Sequence, residues 1–351
     1  MKKAIIVLSV LLAATAVVVG VLFVSQLKAM EDNMRESEKS KDMIKEETFE
    51  VSDYEATYTD TLDSDFYMLL LGVDKDAERS QAEDFAGDDF RTDSIILAHV
   101  NTDEKKVALC SFERDLQIEL EGYGTCKLNN AYTVGGIVGI TNEVEKLSGV
   151  DISHYAAVDM DGLKELIDAV GGVEVDVEKP FFDDQINDGI ETAGPQLLDG
   201  EKALVYARSR YPWENGDYDR ARHQRDVIKS LAGKVSNEVN AVQKMGFLNK
   251  LSSYVATDLM VAQIFELASK MNGMDMEQSM YSMMTPATDA FIDGVSYQIL
   301  DQSTWQVLLS AFKNLEDPSV VLAQAGISEN GALSYTNKEL ADDIATSHDL
   351  A

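Results

Sequence analysis

The residues with the clearest capacity for chemistry in this chain are its arginines. There are only nine. Those at or near the predicted ends of strands and helices are Arg91, Arg114, Arg208, Arg210, Arg220, Arg222 and Arg225. A guanidinium is a planar fork of donors that binds phosphate oxygens in pairs and stays charged when partly buried. The alternative is that each arginine pairs with a surface carboxylate, a contact worth about 0–1 kcal/mol. For the set as a whole, the pattern favours an anion site.

Carboxylates lie beside these arginines, at Asp74, Asp93, Asp115, Asp217 and Asp219. A hard cation such as Mg²⁺ takes one or two carboxylates together with water and phosphate oxygens. Arginines and carboxylates at strand ends therefore predict a metal-assisted phosphoryl or pyrophosphoryl site. The sequence contains neither GxxxxGKS/T nor GxGxxG, so a nucleotide is not the expected substrate.

Composition excludes several other classes of function. The chain has 351 residues, with 62 acidic and 30 basic side chains and a net charge of −32. A protein this acidic is not expected to bind nucleic acid, because such binding begins with neutralisation of phosphates by Lys and Arg. Two cysteines and four histidines argue against a disulfide scaffold, a zinc site built on cysteine and a centre with several His ligands.

The N-terminal region predicts a membrane anchor. Residues 4–27 carry no charge, Lys2 and Lys3 precede them, and Glu31 and Asp32 follow. This length spans a bilayer, and the flanking charges place residues 1–3 in the cytoplasm and the rest outside. A cleaved signal peptide is the competing interpretation, but the apolar run continues past the small residues at 13–16. Residues 28–65 are acidic and predict a stalk.

The rest of the chain predicts an α/β fold with a mixed central sheet and helices on both faces. Apolar runs indicate strands at 66–73, 94–100, 107–112, 154–158 and 173–177. Helical spacing occurs at 129–147, 161–170, 203–208, from near 219 past 231, and at 261–271 and 303–312. These elements predict a catalytic domain at 66–318. A polar C-terminal tail follows at 319–351 and is expected to be weakly packed.

Eight ordered motifs resemble the LytR-CpsA-Psr family, across about residues 66–231. They are LLLGVD at 69–74, RTDS at 91–94, SFERD at 111–115, KLNNAY at 127–132, IDAVGGV at 167–173, LDGEKAL at 198–204, YARSR at 206–210 and GDYDR at 216–220, with Gln224 beyond. Members of that family carry a single preceding transmembrane helix. The anchor at residues 4–27 is predicted from the apolar run alone, and it agrees with this feature of the family.

The resemblance implies an extracytoplasmic phosphotransferase of a Gram-positive-type bacterium. Its donor would be an anionic glycopolymer on a polyprenyl-pyrophosphate carrier, such as a teichoic acid or capsular polysaccharide, and its acceptor peptidoglycan. The implied pyrophosphate ligands are Arg91, Arg114, Arg208, Arg210, Arg220 and Gln224. Asp74 and Asp93 would hold Mg²⁺, and Asp217 is the third implicated acid. Asp93 or Asp217 would accept the proton of the attacking hydroxyl, and Asp217 is the better candidate if Asp93 binds metal.

Three residues depart from the family pattern, one of them Asp219, at whose position Gly is commoner. The family usually has Pro before the Arg-Asp pair, where this chain has Glu113. The arginine usually found before Gln224 is replaced by His223, flanked by Arg222 and Arg225. Which of the three fills that place stays open, and His223 would add pH dependence near its ordinary pKa of about 6.5.

The resemblance also implies an apolar tunnel for the isoprenoid. The candidate lining is Ile137, Val138, Ile140, Ile228, Leu231, Ile264 and Leu267. Two other functions remain open: a non-catalytic module that binds polyprenyl-linked glycans, and a hydrolase that uses water in place of the sugar hydroxyl. Cys110 and Cys126 could form a disulfide outside the membrane, although their spacing cannot establish it.

Overall fold

A computed structural model describes residues 28–33, 62–74, 91–238 and 241–327. The predicted transmembrane segment 4–27, most of the predicted stalk and residues 328–351 lie outside that part. Among the described residues, none belongs to a helix with the length and apolar character needed to cross a bilayer.

The described elements alternate between strands and helices. The strands are β1 (Asp65–Asp74), β2 (Arg91–Asn101), β3 (Lys106–Phe112), β4 (Gln117–Leu120), β5 (Gly124–Lys127), β6 (His154–Asp159), β7 (Val173–Val177), β8 (Phe181–Asp183), β9 (Asp188–Ile190), β10 (Gly194–Leu198), β11 (Val255–Thr257), β12 (Met280–Met284), β13 (Ala287–Ile292) and β14 (Val295–Leu300). The helices are α1 (Asn129–Ser148), α2 (Met160–Ala169), α3 (Gly200–Arg208), α4 (Asp217–Gly233), α5 (Ala241–Tyr254), α6 (Val261–Lys270), α7 (Met276–Ser279), α8 (Gln302–Lys313) and α9 (Pro318–Gln324). A π-helical turn, Lys234–Glu238, follows α4.

The central sheet has six strands in the order β11-β6-β1-β2-β3-β12. Strand β1 runs antiparallel to β2 and parallel to β6, and β3 runs antiparallel to β2 and parallel to β12. The predicted mixed sheet is therefore confirmed, and a hairpin joins β2 to β3. Strands β4, β5 and β8 to β14 were not predicted; they form small hairpins and sheet edges.

Alternate side chains of the central strands enter two separate cores, because successive residues of a strand point to opposite faces. From β1, Leu69 and Leu71 pack with residues of α1 and α8, whereas Phe66 and Met68 pack with residues of α4 and α6. Burial of each such side chain contributes about 1.5–3 kcal/mol. The helices on both faces agree with the prediction.

The residues predicted to line the tunnel are divided between the two cores. Ile137 and Ile140 lie in the core on the α1 face, while Ile228, Ile264 and Leu267 border the core on the opposite face. The sheet separates these two groups. The prediction that all of them line one channel is therefore wrong, since sequence spacing shows that a residue is buried without showing on which face.

The domain extends beyond both of its predicted boundaries. Residues 28–33 are helical, and Met30 is only 2% exposed, against Leu248 and Val261. At the other edge, α9 crosses the boundary predicted at residue 318, and Leu322 is fully buried in the core beneath α8. The first residues of the predicted stalk and tail are thus packed parts of the domain.

The two cysteines, which both lie in the described part of the chain, are free thiols. Cys110 is completely buried on β3, in the core beneath α1. Cys126 lies on β5, where its backbone pairs with Ile118 of β4.

Candidate active site

The predicted residues converge where β1 ends, β2 begins and β3 ends. The backbone of Asp74 pairs with that of Arg91 across the β1–β2 ladder. Arg114 follows two residues after β3, and β3 is the antiparallel neighbour of β2. Antiparallel pairing therefore places the motifs LGVD, RTD and ERD at one edge of the sheet.

A β-bulge presents Asp93 at this edge. Gly72 pairs with Ser94 and Val73 pairs with Thr92, so Asp93 is the extra residue of β2. The buried hydroxyl of Thr92 donates to the carbonyl of Ser94, at 2.9 Å, and so spans the bulge. A Cβ on Gly72 would lie 2.9 Å from the Cβ of Ser94. Bulges commonly redirect a side chain beside a functional site, and here Asp93 forms an ion pair with Arg114.

Arg210 is positioned by an acid that the sequence interpretation missed. Asp183, at the end of β8, is 1% exposed. Its Oδ2 accepts from the backbone N–H groups of Arg210 (2.9 Å) and Tyr211 (3.3 Å) and from the hydroxyl of Ser209 (3.3 Å). Burial opposes ionisation of Asp183, but the N–H donors led by Arg210 hold its pKa below the ordinary value. Asp183 therefore fixes the turn that follows α3.

Asp217 is the centre of the arginine cluster. It is the first residue of α4, where the positive end of the helix dipole favours anions. Its Oδ2 lies 3.0 Å from Nη2 of Arg210 and 3.9 Å from Nη2 of Arg114, and its Oδ1 lies 2.7 Å from Nη2 of Arg220. Three guanidinium groups therefore share one carboxylate, and Asp93 is the second acid beside them.

Buried polar atoms without hydrogen-bond partners mark the same place. Within the described part of the chain they include Glu113 Oε1, Arg114 Nε and Asn129 Oδ1. The backbone N–H of Asn129 donates to the carbonyl of Arg114 at 3.0 Å, which holds its side chain beside the cluster. Buried polar groups are normally paired. Arg114 Nε is the donor among these three atoms that suits an anionic ligand, whereas Asn129 Oδ1 is an acceptor.

Other predicted residues are exposed or have partners outside the ion pairs of the cluster. Arg208 is exposed at the last position of α3. The amide of Gln224 donates to the carbonyl of Ala207 at 3.4 Å. Asp115 forms an ion pair with Lys127 at 3.1 Å, and Asp219 accepts from the backbone N–H of Asn215 at 3.0 Å.

His223 does not take the place of the missing arginine. It is completely buried, with its ring 4.1 Å from that of Tyr206 and 4.5 Å from that of Trp213, centroid to centroid. Burial, and then the charges of Arg222 and Arg225, lower its pKa well below the ordinary value. The expected switch near pH 6.5 at this position is therefore wrong.

The arginines beside His223 have partners of their own. Arg222 forms ion pairs with Glu178 and Asp219. Arg225 donates from Nε to Ser282 Oγ and from Nη1 to Ser111 Oγ, both at 2.6 Å. Arg225 is 1% exposed and ties α4 to β3 and β12. None of the three residues at 222, 223 and 225 contacts Asp217 in these pairings.

The donor set is compatible with a hard cation. Side chains of the described residues form no group of three or more His, Cys, Asp or Glu that could hold a metal alone. The carboxylate of Asp93 is 29% exposed, and the neighbouring strand ends at Asp74. One or two carboxylates completed by phosphate oxygens and water suit Mg²⁺, which rarely occupies an all-protein cage.

The sequence matches a known protein family and several of its named members. The model of the LytR_cpsA_psr family matches residues 19–314. An Enterococcus faecalis protein named polyisoprenyl-teichoic acid–peptidoglycan teichoic acid transferase TagU is 34% identical over 255 residues, which cover 71% of this chain and 79% of that protein. A Halalkalibacterium halodurans protein of the same name is 31% identical over 280 residues, covering 78% and 86%.

Solved structures show the same fold. The crystal structure of Bacillus subtilis TagV matches with a TM-score of 0.61 at 24% identity, over 76% of this chain and 100% of that one. The structure of TagT bound to LIIa-WTA matches with a TM-score of 0.60 at 21% identity, over 74% and 95%.

Proposed function

The chain belongs to the LytR-CpsA-Psr family, and from that premise we propose that it transfers an anionic glycopolymer from a polyprenyl-pyrophosphate carrier to peptidoglycan. The observation that carries the proposal is the cluster in which Arg114, Arg210 and Arg220 surround Asp217. The names of the Enterococcus and Halalkalibacterium relatives support the choice of donor and acceptor.

The arginines act on the charge of the pyrophosphate. In the free protein the three arginines share one carboxylate. Phosphate oxygens of an entering pyrophosphate would give each planar guanidinium group a further bidentate partner. During transfer they stabilise charge on the equatorial oxygens of the phosphoryl group. The unpaired Nε of Arg114 supplies a further donor. Arg91, Arg208 and Gln224 complete the proposed set of pyrophosphate ligands.

The chemical step is a displacement at phosphorus. A hydroxyl oxygen of peptidoglycan forms a bond to the phosphorus that carries the glycan, and the bond from that phosphorus to the bridging oxygen breaks, so polyprenyl phosphate leaves. The hydroxyl proton passes to Asp217, whose arginine partners turn to the pyrophosphate on binding. Asp93 is the alternative acceptor if it holds no metal.

Asp74 and Asp93 would hold Mg²⁺ in this proposal, and the ion would supply further neutralisation of the phosphate charge. We also propose that residues 4–27 anchor the chain in the membrane, with the domain on the outer side. The apolar run and its flanking charges support this placement.

Incubation of the full-length chain in detergent with lipid-linked glycopolymer precursors, peptidoglycan oligomers and Mg²⁺ tests the function. Mass spectrometry should show glycan on peptidoglycan and free polyprenyl phosphate. Arg210→Ala should remove most transfer, and Arg208→Ala should have a smaller effect because that side chain is exposed. Full activity with both arginines replaced would contradict the site assignment, and full activity in EDTA would remove the metal.

The same assay separates the two alternatives. A hydrolase would release polyprenyl phosphate at the same rate without peptidoglycan, because water would replace the acceptor hydroxyl. A non-catalytic module would retain the donor on the protein without releasing it.

A further inference from the structure

Glu113 is a buried acid that directly precedes Arg114, at the end of β3. Along β3 the side chains of Val107 and Leu109 face the core beneath α4 and α6, and Ser111 on the same face contacts Arg225 of α4. Glu113 continues this alternation one step beyond the strand. It is 5% exposed, and its backbone N–H donates to Thr285 Oγ1 at 3.2 Å. Its position thus lies between the end of the sheet and the first turns of α4.

Charged groups surround this carboxyl from two elements. Those that interact with it electrostatically are Asp217, Tyr218, Arg220 and Arg225 on α4 and Asp115 on its own segment. Within the described part of the chain its Oε1 is buried and has no hydrogen-bond partner. A buried carboxylate in this state is costly, whereas a neutral carboxyl is much less so. Burial, followed by the charge of Asp217, raises the pKa of Glu113 to about 7, against the opposing effect of Arg220 and Arg225.

We propose that Glu113 is a positioning residue that links the binding of one proton to the binding of the donor pyrophosphate. In its neutral form Glu113 leaves Arg220 available to the ligand. In its ionised form it adds a negative charge behind Arg220 and competes with the pyrophosphate for that guanidinium. This inference rests on the proposed function of the cluster. At 5% exposure the carboxyl is too enclosed to meet the acceptor hydroxyl, so it acts through Arg220.

Thermodynamic linkage between proton binding and pyrophosphate binding determines how the affinity changes with pH. An anion bound at the arginines makes ionisation of Glu113 harder and raises its pKa further, so binding is accompanied by proton uptake near neutral pH. The coupling is reciprocal. Affinity for the pyrophosphate should therefore be highest when Glu113 is protonated and should fall as the pH rises through the pKa of the free protein.

The test is the pH dependence of ligand affinity in the full-length chain in detergent. The probe is a pyrophosphate diester that carries a short prenyl chain and one sugar, whose phosphates do not titrate near neutral pH. From pH 6 to pH 9 the dissociation constant of the wild type should rise about tenfold, which corresponds to one unit of pKa coupling. Glu113→Gln should remove that rise. Glu119→Gln, at an exposed position on β4, is the matched control and should keep it.

The outcomes separate the role of Glu113 from that of the arginine site. Binding that is independent of pH in the wild type would overturn the role of Glu113 and leave the arginine site intact. A Glu113→Gln chain that keeps the wild-type pH dependence would do the same. If the wild type binds the probe at no pH, both the proposed function and this inference fail.

A second readout needs no variant. Calorimetric titration of the wild type at pH 7.5, in two buffers of different ionisation enthalpy, should show net proton uptake on binding of the probe. The absence of uptake would overturn the inference even if Glu113→Gln failed to fold.

Discussion

Helix α4 contributes to two clusters of charged side chains that differ in which charge is in excess. On the site side, three arginines share the carboxylate of Asp217. On the other side, one arginine, Arg222, has three carboxylate partners: Glu178, Asp219 and Asp226. Arg220 and Arg222 are only two residues apart, which turns them by about 200° around a helix. The same residue type in one short segment thus serves two different purposes.

The pKa values of Arg220 and Arg222 shift in opposite directions because the two arginines differ in the negative charge around them. Burial lowers the pKa of Arg220, and the neighbouring charge of Arg114 adds to that effect, while Asp217 opposes both. Burial also opposes the charge of Arg222, but Glu178 outweighs it and raises the pKa of Arg222. An arginine with too little negative charge around it calls for an anionic ligand, whereas one with a surplus is already satisfied. An arginine cluster therefore predicts a ligand only when its carboxylates are counted.

Replacement of the acid at the centre of the site should have the largest effect on turnover. Asp217→Asn removes both the proposed proton acceptor and the charge that orders three arginines. Transfer should fall by about 10²–10⁴-fold, the usual contribution of a general base. Asp219→Asn, in the same helical turn, is the control and should leave turnover nearly unchanged in the mass-spectrometric assay. Equal losses of turnover in the two variants would contradict the proposal that only the cluster at Asp217 takes part in catalysis.

The second prediction concerns stability and Glu113. The pKa of this carboxyl is raised from 4.5 to about 7 on folding, so the folded state binds the proton more tightly than the unfolded state. Its contribution is fully present below pH 4.5 and is lost as the pH rises through 7. Relative to Glu113→Gln, the wild type should lose on the order of 3 kcal/mol between pH 4.5 and pH 8. Denaturant unfolding at several pH values measures it, and parallel curves would contradict the raised pKa.

The third prediction separates the two arginines of α4. Arg220→Ala should weaken binding of the pyrophosphate probe by about 10–150-fold, since a hydrogen bond to a charged group contributes about 1.5–3 kcal/mol. Arg222→Ala should leave the dissociation constant nearly unchanged. It should instead lower the free energy of unfolding by about 1–3 kcal/mol, because it leaves Glu178 and Asp219 without their partner. The opposite pattern would reverse the roles of the two clusters.

The smallest effect is expected at Asp183. Asp183→Asn keeps the shape of the side chain but weakens the acceptor for the backbone of Arg210 and Tyr211. The kcat/KM for the donor should fall by about 5–30-fold, because the loss of charge on one acceptor costs about 1–2 kcal/mol. The Michaelis constant for the donor should account for most of the loss, since Arg210 would be displaced and not removed.

The sequence indicated the sheet edge more clearly than the geometry of the site. Continuous apolar runs placed β1, β2 and β3, and the arginines and carboxylates at their polar ends predicted a phosphoryl or pyrophosphoryl site. The bulge at Asp93 depends on the pairing register, which one strand does not reveal. Asp183 lies 27 residues before Arg210, beside another aspartate, so no local signal distinguished it. The burial of His223 between two aromatic rings is likewise a product of tertiary packing.

The attachment of residues 28–33 has a consequence for the reach of the domain. Glu31 Oε2 accepts from the backbone N–H of Val261 at 2.9 Å, and the N–H of Leu62 lies 3.5 Å from Glu266 Oε2. Both ends of the intervening chain are thus fastened to α6. A free stalk of residues 28–65 could extend up to roughly 130 Å, at about 3.5 Å per residue.

Because Met30 packs against the domain, only the residues before it connect the domain to the predicted membrane span. If residues 4–27 span the bilayer as predicted, the connection from the bilayer to Met30 is roughly 5 Å long, because residues 28–33 are helical and a helix rises about 1.5 Å per residue. The N-terminal end of α6 would then lie at the lipid surface, and the enzyme would work at the height of the carrier's headgroup instead of searching the wall above it.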